Sequence, residues 1–115
     1  MDYLLTTAIY CLQVDFGADY LLTHTATQGR PWADEWVTQY RLQYLNGGYA
    51  TNVFNPTSIP NSLTFFGNTD RNTVVRHALP DNTVRDKLTF HIMTCSGACA
   101  VRWDLYGSSV VVAVG

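Results

Sequence analysis

Charge is scarce in this chain: Asp, Glu, Lys and Arg together make up 14% of its 115 residues, well under the quarter usual for a soluble domain. The seven Lys and Arg are spread thinly, and the formal charge is −2. Without a concentrated basic face, nucleic acid is not an expected partner. Long apolar runs are missing too, none approaching the ~20 residues of a membrane-spanning helix. The opening MDYLLTTAIY lacks a basic segment and a small-residue cleavage site, so a targeting segment, if the parent protein is secreted, is expected outside these residues. Cysteine is limited to Cys11, Cys95 and Cys99, an odd count that allows at most one internal disulfide. His24, His77 and His91 are scattered, whereas zinc needs about four Cys or His at tight spacing. No metal and no other cofactor is expected, and no N-x-S/T sequon occurs.

Catalytic signatures are equally lacking. There is no G-x-S-x-G, no P-loop and no dinucleotide fingerprint. Asp34 and Glu35 are adjacent, so on a strand they point to opposite faces, which suits a glycosidase pair poorly. No nucleophile, base and orienting group are placed to converge, and the chain is expected to hold no catalytic residue.

What is present is β patterning. Hydrophobic residues make up 47% and aromatics 13%, enough for one domain's core. Period-2 alternation recurs while helical periodicity does not. Leu12, Val14 and Phe16 alternate with Gln13 and Asp15 until Gly17 breaks the run. Thr38, Tyr40, Leu42 and Tyr44 alternate with Gln39, Arg41 and Gln43, and Asn46-Gly47-Gly48 supplies a turn that tolerates positive φ. Leu88, Phe90 and Ile92 form one stripe, and Val101, Trp103 and Leu105 another. Asn55-Pro56, Ile59-Pro60-Asn61 and Pro80-Asp81-Asn82 mark loops. Six or seven short strands at these spacings predict an all-β antiparallel sandwich or jelly roll over residues 1–109. Residues 110–115 form an apolar tail, read as either a last strand or the cut edge of something longer, and as an aggregation hazard if exposed.

Several segments resemble one family in its order: LQVDFG (12–17), TATQGR (25–30), WVTQYRLQY (36–44), FFGNTDRNTVVRHALP (65–80) and AVRWDLYG (100–107). Together they look like the discoidin, or coagulation factor V/VIII type C, domain. The resemblance implies a galactose-binding-like β-sandwich that is extracellular or at the cell surface, usually within a larger protein. Its expected role is recognition of a matrix protein, with carbohydrate or a phosphatidylserine headgroup as alternatives. The family's opening stretch is short or missing here, and Ser108 follows LYG where members often carry a closing Cys. Cys95 and Cys99 stand where they would staple the loop between the last two strands instead, if their Cα atoms come within ~7 Å.

Members bind ligands through loops at one end of the barrel, and the loop after TQG is the one present here. It comprises Arg30, Pro31, Trp32, Ala33, Asp34, Glu35 and Trp36. Discoidin-type collagen receptors are similar in carrying an Arg after TQG and a Glu before the next strand, so Arg30 and Glu35 are candidates for a polar clamp. Trp32, near a turn stiffened by Pro31, either meets a partner or folds back over its own loop. Trp36, at the strand start, is expected in the core. Arg76 and Arg102 either pair with Asp70 or Asp104 or sit on exposed faces. Asp34 and Glu35 oppose anionic lipid headgroups.

Overall fold

A computed structural model describes residues 4–7, 11–56, 63–81 and 83–110, with only the backbone of 4–7. The expected loop at Ile59, Pro60 and Asn61, Asn82 of the expected 80–82 turn, and the tail after Val110 lie outside the described residues.

Eight strands and no helix occur among the described residues: β1 (Leu4–Thr7), β2 (Cys11–Gln28), β3 (Trp36–Asn46), β4 (Tyr49–Asn52), β5 (Phe65–Phe66), β6 (Val75–Ala78), β7 (Val84–Ser96) and β8 (Ala100–Ser109). The strands are not uniformly short, since β2 runs 18 residues and β7 runs 13. All pair antiparallel, in the order β1-β8-β2-β7-β3-β4, with β5 on β3 and β6 on β2. The result is one curled sheet of jelly-roll type, in which β2 serves both layers. Its first part pairs with β7, and its second part lies between β8 and β6.

Gly17 does not end the first alternating run. Between Asp15 and Tyr20 the register against β7 shifts, and the Gly17 N–H donates to Asp15 Oδ1 at 2.8 Å. A bulge of this kind bends a strand and strengthens its twist without ending it, which is how β2 passes from one layer to the other. A second irregularity, around Val37 to Tyr40 in β3, breaks strict alternation. Val37 and Tyr40 both end up buried, although three positions apart.

The stripes of β7 and β8 face each other across the core. Leu88, Phe90, Val101, Trp103 and Leu105 are all buried. Tyr40 lies between Phe90, 4.3 Å away ring to ring, and Phe65, at 5.4 Å, and Phe90 continues to Trp103 at 5.1 Å. Trp103 Nε1 donates to Thr25 Oγ1 at 2.9 Å, so the indole's polar edge is satisfied inside the core. Burial pushes the Tyr40 phenol far above the ordinary tyrosine range, with Thr25 beside it opposing the shift.

Two hairpins close the ends. Gly47 and Gly48, both at positive φ, make the two-residue turn joining β3 to β4, a conformation matched to strand twist. At the opposite end of β3, the β7–β8 hairpin is stapled by a Cys95–Cys99 disulfide with Cα atoms 5.3 Å apart. Cys11 is a free, exposed thiol.

Candidate functional site

The loop of residues 30–36 leaves β2 at Gln28 and returns into β3 at Trp36. Its neck is closed by the Arg30 N–H donating to Glu35 O at 2.9 Å, and Glu35 N donates to Ala33 O at 2.9 Å. Arg30 Nε also pairs with Glu35 Oε1 at 2.9 Å, so the two clamp candidates hold each other across the base of the loop. Above this base Trp32 projects with 65% of its surface exposed. It does not fold into the rim; its ring is met by the Arg30 guanidinium, 5.5 Å from the centroid. Pro31 and Ala33 on either side are half-buried.

A second loop, residues 67–74, packs beside the first. It is built by side chains that bond to nearby backbone, as the Asn and Asp content of NTDRNT leads one to expect. Buried Asn68 donates through Nδ2 to Thr27 O at 3.0 Å and to Thr73 O at 2.8 Å. Asp70 accepts from Thr73 N at 2.8 Å and from the Thr73 hydroxyl at 2.5 Å. These bonds hold the Asp70 carboxyl below the ordinary aspartate range, with the Thr73 hydroxyl the largest cause. A depressed folded-state value means that ionised Asp70 favours the folded form. That contribution is complete above the ordinary aspartate range and is lost as pH falls through the folded-state value. Thermal melts of Asp70→Asn and the parent chain are therefore expected to differ at neutral pH and to converge in strong acid. A gap that stays constant with pH would exclude this linkage.

Arg102 joins the two loops. Its Nε donates to Gly29 O at 2.8 Å, and Nη2 donates to Arg71 O at 3.0 Å and to Asn72 Oδ1 at 2.8 Å. It pairs with neither Asp70 nor Asp104, because the planar fork of a guanidinium reaches several oxygens at once and loop carbonyls lie in its path. Arg76 stacks over Tyr106 at 4.6 Å and makes no acidic pair among the described residues. Gly29 N donates to Arg71 O at 2.9 Å, and Arg71 Nε pairs with Asp34 Oδ1 at 2.8 Å. Asp34 and Glu35 are thus bound by different arginines. The stapled hairpin is the third support: a side chain at Gly97 would come within 2.8 Å of Asp34 O.

Between the two loops opens a cleft of about 550 Å³ lined by Asp34, Trp36, Asp70, Arg71, Asn72 and Thr73. Trp36 is half-buried and walls this cleft rather than sitting sealed in the core. The reason is its place at the first position of β3, where the core has already narrowed to the barrel end. Residues 70–73 and Arg102 lie beside the 30–36 loop, and sequence reasoning misses them as site residues. Their only signal is the polar, ordered character of NTDRNT, and nothing local records that a segment some 40 positions away packs there. Among the described residues no group of His, Cys, Asp and Glu is arranged to hold a metal ion.

A curled antiparallel sheet with braced loops at one end is a galactose-binding-like jelly roll. The chain belongs to the F5/8 type C (discoidin) domain family, whose model matches residues 7–105. It is 35% identical to retinoschisin of Takifugu rubripes over 68 residues, 59% of this chain and 24% of that protein. Retinoschisin of Mus musculus is 28% identical over 102 residues, covering 77% and 46%. Discoidin-1 of Dictyostelium discoideum is 34% identical over 86 residues, covering 74% and 32%. The chain thus spans less than half the length of these relatives. Among solved structures, recombinant discoidin II of Dictyostelium discoideum superposes with a TM-score of 0.73 at 24% identity, over 88% of this chain and 38% of that one. That likeness is one of fold.

Proposed function

We propose that this domain is a non-catalytic recognition module of the extracellular space or cell surface, one part of a larger protein, that binds a matrix protein through the 30–36 loop. The observation that carries the reading is the exposed indole of Trp32, held on a loop fixed at its base by the Arg30–Glu35 pair. An exposed aromatic on a rigid support gives up little conformational entropy when it is covered, which is what a contact residue needs. Family membership supports the same reading. A lipid headgroup is a weaker partner, because Asp34 stands exposed at the tip and the neighbouring Arg30 and Arg71 are engaged by carboxylates.

The experiment compares the parent chain with Trp32→Ala on immobilised fibrillar collagen, a glycan array and phosphatidylserine vesicles. Collagen retention by the parent chain is the expected result. Burying an indole contributes roughly 1.5–3 kcal/mol, so the variant is expected to bind roughly 10- to 150-fold more weakly. Its melting temperature should be unchanged, since the ring touches little of the folded chain. Collagen binding that survives Trp32→Ala intact would refute the assignment of this loop.

A further inference from the structure

The barrel has a second built cleft, at the end away from the 30–36 loop. β3 runs from Trp36 beside that loop to Asn46 at the β3–β4 hairpin, and β7 runs antiparallel to it, so Arg85 near the start of β7 lies at the hairpin end. A cleft of about 370 Å³ opens there among Tyr44, Asn52, Phe54, Pro80, Thr83 and Arg85. Such a volume is near the bottom of the roughly 300–1,000 Å³ span of small-molecule sites and suits a single ring.

Its chemistry is one-sided. Arg85 is the one charged group among the described lining residues. The guanidinium sits over the Tyr44 ring, its Cζ 3.5 Å from the ring centroid, and Nε is shielded from solvent with no hydrogen-bond partner among the described residues. Arg30, Arg71 and Lys87, by contrast, each face a carboxylate. Stacking fixes the plane of a guanidinium and leaves its edge to donate, the arrangement that receives a carboxylate. Asn52 Oδ1 already accepts from Gln43 Nε2 at 3.0 Å, which leaves the Asn52 amide as a donor. Thr83 spends its proton on Pro80 O at 2.5 Å, which leaves its oxygen as an acceptor. Phe54, 49% exposed, supplies an open aromatic face.

We propose that the cleft bounded by Tyr44, Asn52, Phe54, Thr83 and Arg85 binds a carboxylated sugar ring, a uronic acid. The carboxylate meets Arg85 and the Asn52 amide, a ring hydroxyl donates to Thr83, and the apolar face of the ring lies on Phe54. A carboxylate on an apolar chain would leave Thr83 unused, and a neutral sugar would leave Arg85 unmatched. This site is independent of the 30–36 loop.

The test is an NMR titration of the isotopically labelled full chain with sodium glucuronate, glucose and N-acetyl-diglycine. Glucuronate is expected to shift the resonances of Tyr44, Asn52, Phe54 and Arg85 saturably, with affinity at least ~10-fold above glucose and above the peptide carboxylate. Arg85→Gln should weaken glucuronate at least ~10-fold, Arg85→Lys should fall between, and Trp32→Ala should change nothing. Should Arg85→Gln fail to fold, the three-ligand comparison on the parent chain decides alone. Glucuronate shifts absent from these residues, equal response to glucose, or tighter binding of N-acetyl-diglycine would each overturn the proposal. Loss through Trp32→Ala would also overturn it, by moving the sugar to the other end of the barrel.

Discussion

Truncating Tyr40 to alanine is expected to lower stability by about 3–5 kcal/mol, the usual cost of removing a large buried aromatic. The side chain is fully buried and touches rings on both sides, Phe90 at 4.3 Å and Phe65 at 5.4 Å. Each such ring pair adds about 0.5–1.5 kcal/mol beyond area burial, and the cavity left behind is walled by strands that cannot close on it. Since a domain's whole stability is about 5–15 kcal/mol, the variant should melt far below the parent chain or not fold. Tyr40→Phe keeps the ring and deletes only the hydroxyl, so it should cost at most about 1.5 kcal/mol. Thermal melts of the two variants decide the matter, and equal losses would assign the effect to the hydroxyl rather than to the stack.

Gly67→Ala should be comparably damaging, by a different route. A methyl group there would lie 2.2 Å from the carbonyl oxygen of Val37, which is backbone and has no rotamer to change. The same stretch is pinned by Gly67 N donating to Thr38 O at 2.8 Å and Asn68 N to Val37 O at 2.9 Å. The chain must abandon either the β3–β5 pairing or these bonds, at roughly 3 kcal/mol or more. Denaturant midpoints measure the loss, and hydrogen exchange at Gly67 and Asn68 should accelerate. Gly47→Asn is the control: it has positive φ but nothing within 4 Å, and Asn tolerates that backbone. If both variants lose equally, close approach at Gly67 is not the cause.

The core was largely readable from the chain. The stripes Leu88-Phe90-Ile92 and Val101-Trp103-Leu105 follow from strand periodicity, and both point inward. The Gly47-Gly48 turn was readable because few residues besides glycine adopt positive φ twice in succession. The continuity of β2 through Gly17 was hidden, because a glycine after an aspartate reads alike whether it turns a chain or bulges a strand. The inward placement of both Val37 and Tyr40 was hidden for the same reason, since irregular register leaves no mark in an alternating pattern. At the candidate site, the exposed Trp32 was within reach of sequence reasoning, whereas Arg30 and Glu35 were legible only as a clamp for a peptide, and their pairing with each other was not. The roles of Arg71 and Arg102 were not, because each bonds a segment some 30 to 70 positions away.

The shared strand β2 also governs when the chain can fold. Its residues pair with β6, β7 and β8, so Leu12 meets Phe90 and Gln28 meets Arg102. Contacts this remote in sequence require large loops to close before any pairing is rewarded, which places such topologies in the millisecond-to-second range. On a ribosome, β2 emerges early and waits until β8 has been made before its second edge is covered, with an unpaired ladder open to other chains in the meantime.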